Sequence, residues 1–170
     1  MKRIVIILLI SMCCINFAQA VSKMVIEGER YASIRPSMMK ANSQVASGGV
    51  YVHIPLLRPH ATTQTGPSDI GNCVYKVNVS QAGTYVFWFR AHWYDACGNS
   101  FFVIIDNKPA VFVEDSTYQV WHWVKGPSVA LAAGEHTIRI QNREDGAKLD
   151  QFLLINSIQY VPTRIEKATQ

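Results

Sequence analysis

The stretch Cys73-Val74-Tyr75-Lys76-Val77-Asn78-Val79-Ser80-Gln81-Ala82-Gly83-Thr84-Tyr85-Val86-Phe87-Trp88-Phe89-Arg90-Ala91-His92 decides the fold. It holds two runs with a period of two residues, which sends successive side chains to opposite faces of a strand. Cys73, Tyr75, Val77 and Val79 share one face, and Val74, Lys76, Asn78 and Ser80 the other. After Gln81-Ala82-Gly83, the residues Tyr85, Phe87, Phe89 and Ala91 alternate with Val86, Trp88, Arg90 and His92. This is the pattern of an antiparallel sheet with one face on a core. Working outward, the runs 100–106, 110–113, 119–124, 129–132 and 135–141 are rich in aromatic and β-branched residues, with Gly, Pro, Asn or Asp between them. Short strands at such spacing predict an all-β antiparallel sandwich or barrel.

Ala82-Gly83-Thr84-Tyr85 and Ala133-Gly134-Glu135-His136 open their strands alike, each through a glycine able to take positive φ. Periodicity fits residues 149–155 to a helix face or to a short core strand, and strand is the reading adopted. Residues 58–70 contain two Pro, three Thr and a Gly-Pro step and predict a long surface loop. The tail 161–170 is expected to fray.

The chain has 170 residues, 49% of them hydrophobic, which suffices for one core and predicts a single domain over residues 21–160. Lys2 and Arg3 precede an uncharged run from Ile4 to Ile10, and Ala18-Gln19-Ala20 supplies small residues at the −3 and −1 positions. This predicts a signal peptide over residues 1–20, cleaved after Ala20, and a secreted or periplasmic protein. A lipoprotein is the competing reading, but Met12 and Cys13, which precede Cys13 and Cys14, are poor residues for that processing. Without the leader the chain has 14 basic against 12 acidic residues, an excess of only +2 that gives no basis for nucleic-acid binding. Cys73 and Cys97 then remain, and in an exported protein they are expected to pair as a disulfide.

Enzyme chemistry finds little footing. His53, His60, His92, His122 and His136 never fall at the i, i+4 spacing of a helical zinc site, and no Cys-x-x-Cys pair is present. His136 falls on a core-facing position and reads as a packed neutral imidazole. No G-x-S-x-G elbow occurs, and Ser100 has no base that sequence assigns to it. Glu114-Asp115 and Glu144-Asp145 read as solvated turn residues rather than a glycosidase pair. The expectation is a non-catalytic protein.

Two constellations carry a resemblance. The first is Val25-Ile26-Glu27-Gly28-Glu29-Arg30-Tyr31, in which Glu27 and Glu29 project to one side of an extended strand and offer hard oxygen ligands of the kind calcium selects. The second runs from Gly134 through Arg143-Glu144-Asp145-Gly146-Ala147-Lys148-Leu149-Asp150 to Leu154. Together with Ser47-Gly48-Gly49-Val50-Tyr51-Val52 and the two strand openings, these motifs resemble carbohydrate-binding modules of the family 6, 35 and 36 type, with a galactose-binding-like jelly-roll β-sandwich. The resemblance covers roughly residues 25–155.

That resemblance implies a structural calcium ion as cofactor, held by Glu27, Glu29 and Asp150 with a carbonyl near Ser47 completing the shell. The bland alternative pairs Asp150 with Lys148 or Arg30. It also implies carbohydrate as partner, poly- or oligosaccharide, stacked on aromatic rings in loops at one end of the sandwich. The candidate ligand-binding residues are Trp93, Tyr94, Tyr118, Trp121, Asn142 and Arg143, with Trp123 beside Trp121. Trp121 and Trp123 share a face and read equally as core, while Trp88 reads as packing. Arg143, Glu144 and Asp145 either contact a polar or acidic glycan or form an internal arginine–carboxylate network, and the network is favoured. A surface or assembly subunit contacting proteins through the same sandwich is the second reading, and a glycan-active hydrolase the third.

Overall fold

The computed structural model describes residues 20–56 and 70–169. Of the expected leader only Ala20, and of the expected 58–70 loop only Ile70, falls among them. The described residues form eleven strands: β1 (Lys23–Glu27), β2 (Ser33–Arg35), β3 (Met39–Asn42), β4 (Val50–His53), β5 (Asn72–Val79), β6 (Gly83–His92), β7 (Ser100–Ile105), β8 (Val111–Glu114), β9 (His122–Leu131), β10 (Gly134–Asn142) and β11 (Lys148–Ile155). They make two antiparallel sheets, so the fold is the expected all-β sandwich. The five-stranded sheet runs β2-β5-β10-β7-β8, and the six-stranded sheet runs β3-β4-β11-β6-β9, with β1 also paired to β11.

Between the sheets lies the core that the alternation predicts. Cys73, Tyr75, Val77 and Val79 of β5 are buried while Lys76 and Asn78 are exposed. Tyr85, Phe87, Phe89 and Ala91 of β6 have no exposed surface and meet Phe152 and Leu154 of β11. Residues 149–155 are strand, central in the six-stranded sheet, with β6 on one edge and both β1 and β4 on the other.

Four expectations change. The runs 119–124 and 129–132 are joined by one strand, β9, which starts only at His122 and whose pairing with β6 shifts register between Val86 and Trp88. Gly126 sits at that irregularity, and a Cβ there would collide with the Phe89 ring. Of the two paired strand-opening glycines, only Gly134 has positive φ, at 127°.

The tail is not frayed. Glu166 N–H donates to Gln151 Oε1 at 3.0 Å, Gln151 Nε2 donates to the Glu166 carbonyl at 2.8 Å, and Thr169 N–H donates to the Val25 carbonyl at 2.9 Å. It caps a second apolar cluster on the outer face of the six-stranded sheet, formed by Val25, Val86, Trp88, Leu153 and Ile155 with Trp123 and Tyr160 against it. That cover is why β6 is buried on both faces rather than one.

Cys73 and Cys97 are both free thiols. Cys73 points into the core, where burial pushes its thiol up to about 12, whereas Cys97 sits in the 93–98 turn with its N–H on Asp95 Oδ1 at 2.8 Å. His136 packs at a half-buried position, where Nδ1 lies 2.8 Å from Asp106 Oδ2 and Nε2 lies 3.0 Å from the Ala132 carbonyl. Among the described residues no helix is long and apolar enough to cross a membrane.

Candidate functional site

At one end of the six-stranded sheet, β4, β11, β6 and the segment before β9 bring polar and aromatic side chains onto the outer face. Lys148 pairs across to His53 of β4 and to His92 of β6, and Tyr51 lies two residues before His53. Their strand neighbours Val52, Leu149 and Ala91 face inward, so alternation alone turns these residues out. Trp121 closes the cluster. Its ring meets Tyr51 edge-on at 5.6 Å and 71°, and His92 at 5.4 Å and 64°. Arg90 lies over the Trp121 ring at 5.3 Å, and Lys148 Nζ stands 5.8 Å from the centre of the Tyr51 ring.

These side chains line a groove of about 440 Å³ that also includes Ser43, Val45 and Gln119. A second groove of about 440 Å³ runs toward the sandwich end between His53, Pro55, Leu56, Tyr94 and Gly146. Tyr51 and Lys148 belong to both, so the two meet along one wall. Burial, and then the Lys148 charge, lower the pKa of both His53 and His92, so both rings are neutral near pH 7. Among the described residues no carboxylate lines either groove.

The predicted ligand-binding residues divide. Trp121 and Tyr94 line these grooves, and Tyr94 is 42% exposed. Tyr118 is exposed nearby, bridged to Trp93 through the backbone. Trp93 is corrected to core: it has no exposed surface, packs on Phe101, and donates its indole N–H to Asp115 Oδ1 at 3.0 Å. Asp115, a third exposed in its turn, also lies 2.9 Å from His122 Nε2, so this acid holds both rings. Asn142 is corrected likewise, being buried with Nδ2 donating to Ser37 Oγ at 2.9 Å. Arg143 contacts Ser100 Oγ and Glu144 Oε1 and lies over Phe112 at 5.3 Å, which is the internal network. Glu144 also accepts from Asn99 N–H at 3.2 Å, and Ser100 is fully buried. Trp123 packs under the tail and donates to the Arg164 carbonyl at 2.8 Å.

Tyr51, Arg90, His92 and Lys148 are the groove residues that sequence reading did not single out. Their signal was present as the outward half of each alternating strand. It needed the non-sequential pairing of β4, β11 and β6 to bring them together.

The three acids from the metal expectation converge around the turn at Ser47. β1 ends at Glu27, so Glu29 reaches the site from a turn rather than along the strand. Gly28 makes that turn possible: a Cβ there would stand 2.8 Å from the Leu149 carbonyl oxygen and 2.9 Å from that of Asp150. Glu27 Oε1 accepts from Ser47 Oγ at 2.8 Å and Gln151 Nε2 at 2.9 Å. Glu27 Oε2 and Glu29 Oε2 are buried without a hydrogen-bond partner, and burial, with the Glu27 charge adding to it, raises the Glu29 pKa. Asp150, fully buried, accepts from Ser47 N–H at 2.8 Å and pairs with Arg90 rather than Lys148 or Arg30. Burial raises its pKa to about 6 against the pull of Arg90. Among the described residues no three His, Cys, Asp or Glu side chains form a ready ligand set. Two orphaned carboxylate oxygens fit a cation, while both oxygens of Asp150 are taken.

The two-sheet sandwich has the fold of carbohydrate-binding modules of families 6 and 35. No protein-family model and no curated protein sequence matches the chain. Among solved structures it is similar to a family 35 carbohydrate-binding module from Clostridium thermocellum (17% identity, TM-score 0.56, covering 78% of this chain and 97% of that one). It is also similar to a carbohydrate-binding module of the Cellvibrio mixtus lichenase 5A, in complex with cellotriose (19%, TM-score 0.57, covering 79% and 97%). A β-(1,4)-mannanase of Podospora anserina with a family 35 module matches at 18% identity and TM-score 0.62 over 82% of this chain. The chain spans only 29% of that mannanase.

Proposed function

We propose that this protein is an exported, non-catalytic carbohydrate-binding protein that takes a glycan in the two joined grooves. One observation carries the reading: Tyr51 and Trp121, with Tyr94 beyond, offer ring faces and edges beside neutral imidazoles, Ser43 and Gln119. Sugars need this mixture, because C–H faces pack on rings while hydroxyls require directional partners. The likeness in fold to sugar-binding modules supports it. Affinity electrophoresis through gels carrying mannan, laminarin, xylan or pectin tests it: Trp121→Ala is expected to abolish a retardation that the unaltered protein shows. If no gel retards the protein, the reading fails.

Calcium belongs to the same proposal. Glu27 and Glu29 would hold it through their unpartnered oxygens, neutralising two buried acids and fixing the turn at Ser47. Asp150 would join only by giving up Arg90.

A second reading, a surface or assembly subunit, is favoured by one feature: Val111 and Phe112 on edge strand β8 are 43% and 52% exposed. Concentration-dependent self-association in sedimentation, lost in Phe112→Ser, would favour it over the first.

A further inference from the structure

Strand β8 leaves one edge of the five-stranded sheet open. It pairs with β7 in an unbroken register, and among the described residues no strand pairs with its other side. Two hydrogen bonds at the turn between β7 and β8 fix which main-chain groups that open side carries. Asp106 N–H donates to the Thr137 carbonyl of β10 at 2.8 Å, and Lys108 N–H donates to the Ile105 carbonyl at 3.0 Å. The even-numbered residues of β7 therefore turn their main-chain groups to β10, and the odd-numbered ones turn theirs to β8. Val103 stands opposite Val111 and Phe101 opposite Val113, so Val111 and Val113 bond to β7. Phe112 and Glu114 then present their N–H and C=O groups to the open side. Sheets commonly guard such an edge with a bulge, a proline or an inward charge, and β8 has none of these.

The side chains along the edge suit a particular occupant. Val111 and Phe112 are exposed, and Phe112 extends an outer-face patch with Phe102, where Arg143 lies 5.3 Å from the Phe112 ring and 6.0 Å from that of Phe102. Lys108, just before the strand, and Glu114, its last residue, are exposed charges of opposite sign. Neither has an ion pair among the described residues. A segment with opposite charges at its two ends complements an antiparallel copy of itself. A two-fold axis at Val111 sets Val111 against Val111, Phe112 against Ala110 and Glu114 against Lys108, and it keeps outward residues facing outward. Moving the axis to Phe112 or to Val113 would set Glu114 against Ala110 or Phe112 and leave the charges unmatched.

We propose that the open edge of β8 takes β8 of a second copy, antiparallel about Val111, so that two five-stranded sheets join into one. This rests on the assembly reading and adds the occupant, its register and its charge contacts. Phe112 N–H gives its hydrogen bond to the Ala110 carbonyl of the second copy, and the small Ala110 side chain leaves room for the Phe112 ring. Because the contact is isologous, the Lys108–Glu114 pair forms twice.

The test is sedimentation equilibrium of the whole protein. A short edge contact makes a weak dimer, with a dissociation constant expected on the order of 100 µM. Lys108→Glu and Glu114→Lys each set like charges against one another at both ends of the pairing, and each is expected to weaken the dimer about fivefold or more. An equimolar mixture of the two single variants is expected to recover the affinity to within about threefold, because each variant then meets its opposite charge. The double variant is expected to recover it likewise. Recovery on mixing separates a charge contact between copies from damage within one chain, and high salt shrinks these differences. A protein still monomeric at about ten times the expected constant overturns the proposal and the self-association behind the assembly reading, and leaves glycan binding untouched. Association that Phe112→Ser abolishes, but that neither charge reversal nor mixing alters, overturns this register and leaves the assembly reading standing. Association that Phe112→Ser does not alter places the contact away from β8 and overturns both.

Discussion

Gln151 and Glu166 are locked together by a two-way pair of hydrogen bonds, the side-chain amide of one giving and taking with the main chain of the other at 2.8 and 3.0 Å. The same Gln151 Nε2 lies 2.9 Å from Glu27 Oε1 and 3.1 Å from Ser47 Oγ. One buried amide therefore ties the C-terminal tail to the acidic cluster.

Replacing it tests both ends of that tie. Gln151→Ala is expected to lower the midpoint of thermal unfolding by roughly 5–10 °C, because several buried groups lose partners at once. Removing residues 161–170 is expected to expose Trp88 and Trp123 and shift tryptophan emission to the red. An unchanged melting point and emission maximum would show that the tail adds nothing.

The unpartnered oxygens of Glu27 and Glu29 set a metal prediction. Calcium at about one hundred times its dissociation constant is expected to stabilise the fold by about 2.7 kcal/mol, and chelator to reverse this. Glu29→Gln is expected to raise stability without calcium, by relieving a buried charge, and to abolish the calcium response. A melting curve indifferent to calcium and chelator would remove the ion from the proposal.

His136 and Asp106 give a pH dependence. Burial favours the neutral forms of both, but their shared hydrogen bond raises the His136 pKa and lowers that of Asp106. The histidine's contribution is full below about pH 6.5 and lost as pH rises through its folded value; the aspartate's is present above about pH 3.8 and lost as pH falls through its lowered value. The pair is thus strongest between roughly pH 4 and 6.5. Asp106 is about a third exposed, so the effect is roughly 1 kcal/mol or less, a few degrees between pH 5.5 and 8. His136→Gln should flatten that slope, and a slope unaltered by it would assign the pH dependence elsewhere.

Two tryptophans expected to act alike should separate. Trp93→Ala is expected to cost about 3–5 kcal/mol because it empties a site in the core. Trp121→Ala is expected to change the melting point by only a few degrees while removing glycan retention. Equal destabilisation by both would place Trp121 in the core as well.

Much of the fold was legible because β5 and β6 obey the two-residue period so cleanly. Trp88 was legible as packing, although its cover, the tail, was not: residues 161–170 contain no apolar run that marks docking. The acidic cluster was legible as Glu27, Glu29 and Asp150, but the partner of Asp150 was not, since Arg90 lies 60 residues away on a neighbouring strand. Trp93 misled because a polar turn follows it; the indole N–H finds Asp115, and that contact leaves no trace in local spacing. The groove was the least legible part, because Tyr51, His92 and Lys148 look like ordinary outward residues until β11 pairs with both neighbours.

The irregularity in β11 between Leu149 and Gln151 acts as a phase shift. On either side the strand alternates, yet Lys148 faces the groove and Gln151 faces the tail on the same outer surface, three residues apart instead of two or four. Regular alternation through Asp150 would turn either the lysine or the glutamine inward; deleting Asp150 instead would leave both outward, two residues apart, and remove the carboxylate that holds Arg90. The irregularity thus lets one eight-residue strand send Asp150 to Arg90 and Ser47 while the groove at one end and the anchor of the chain terminus at the other stay on the same surface.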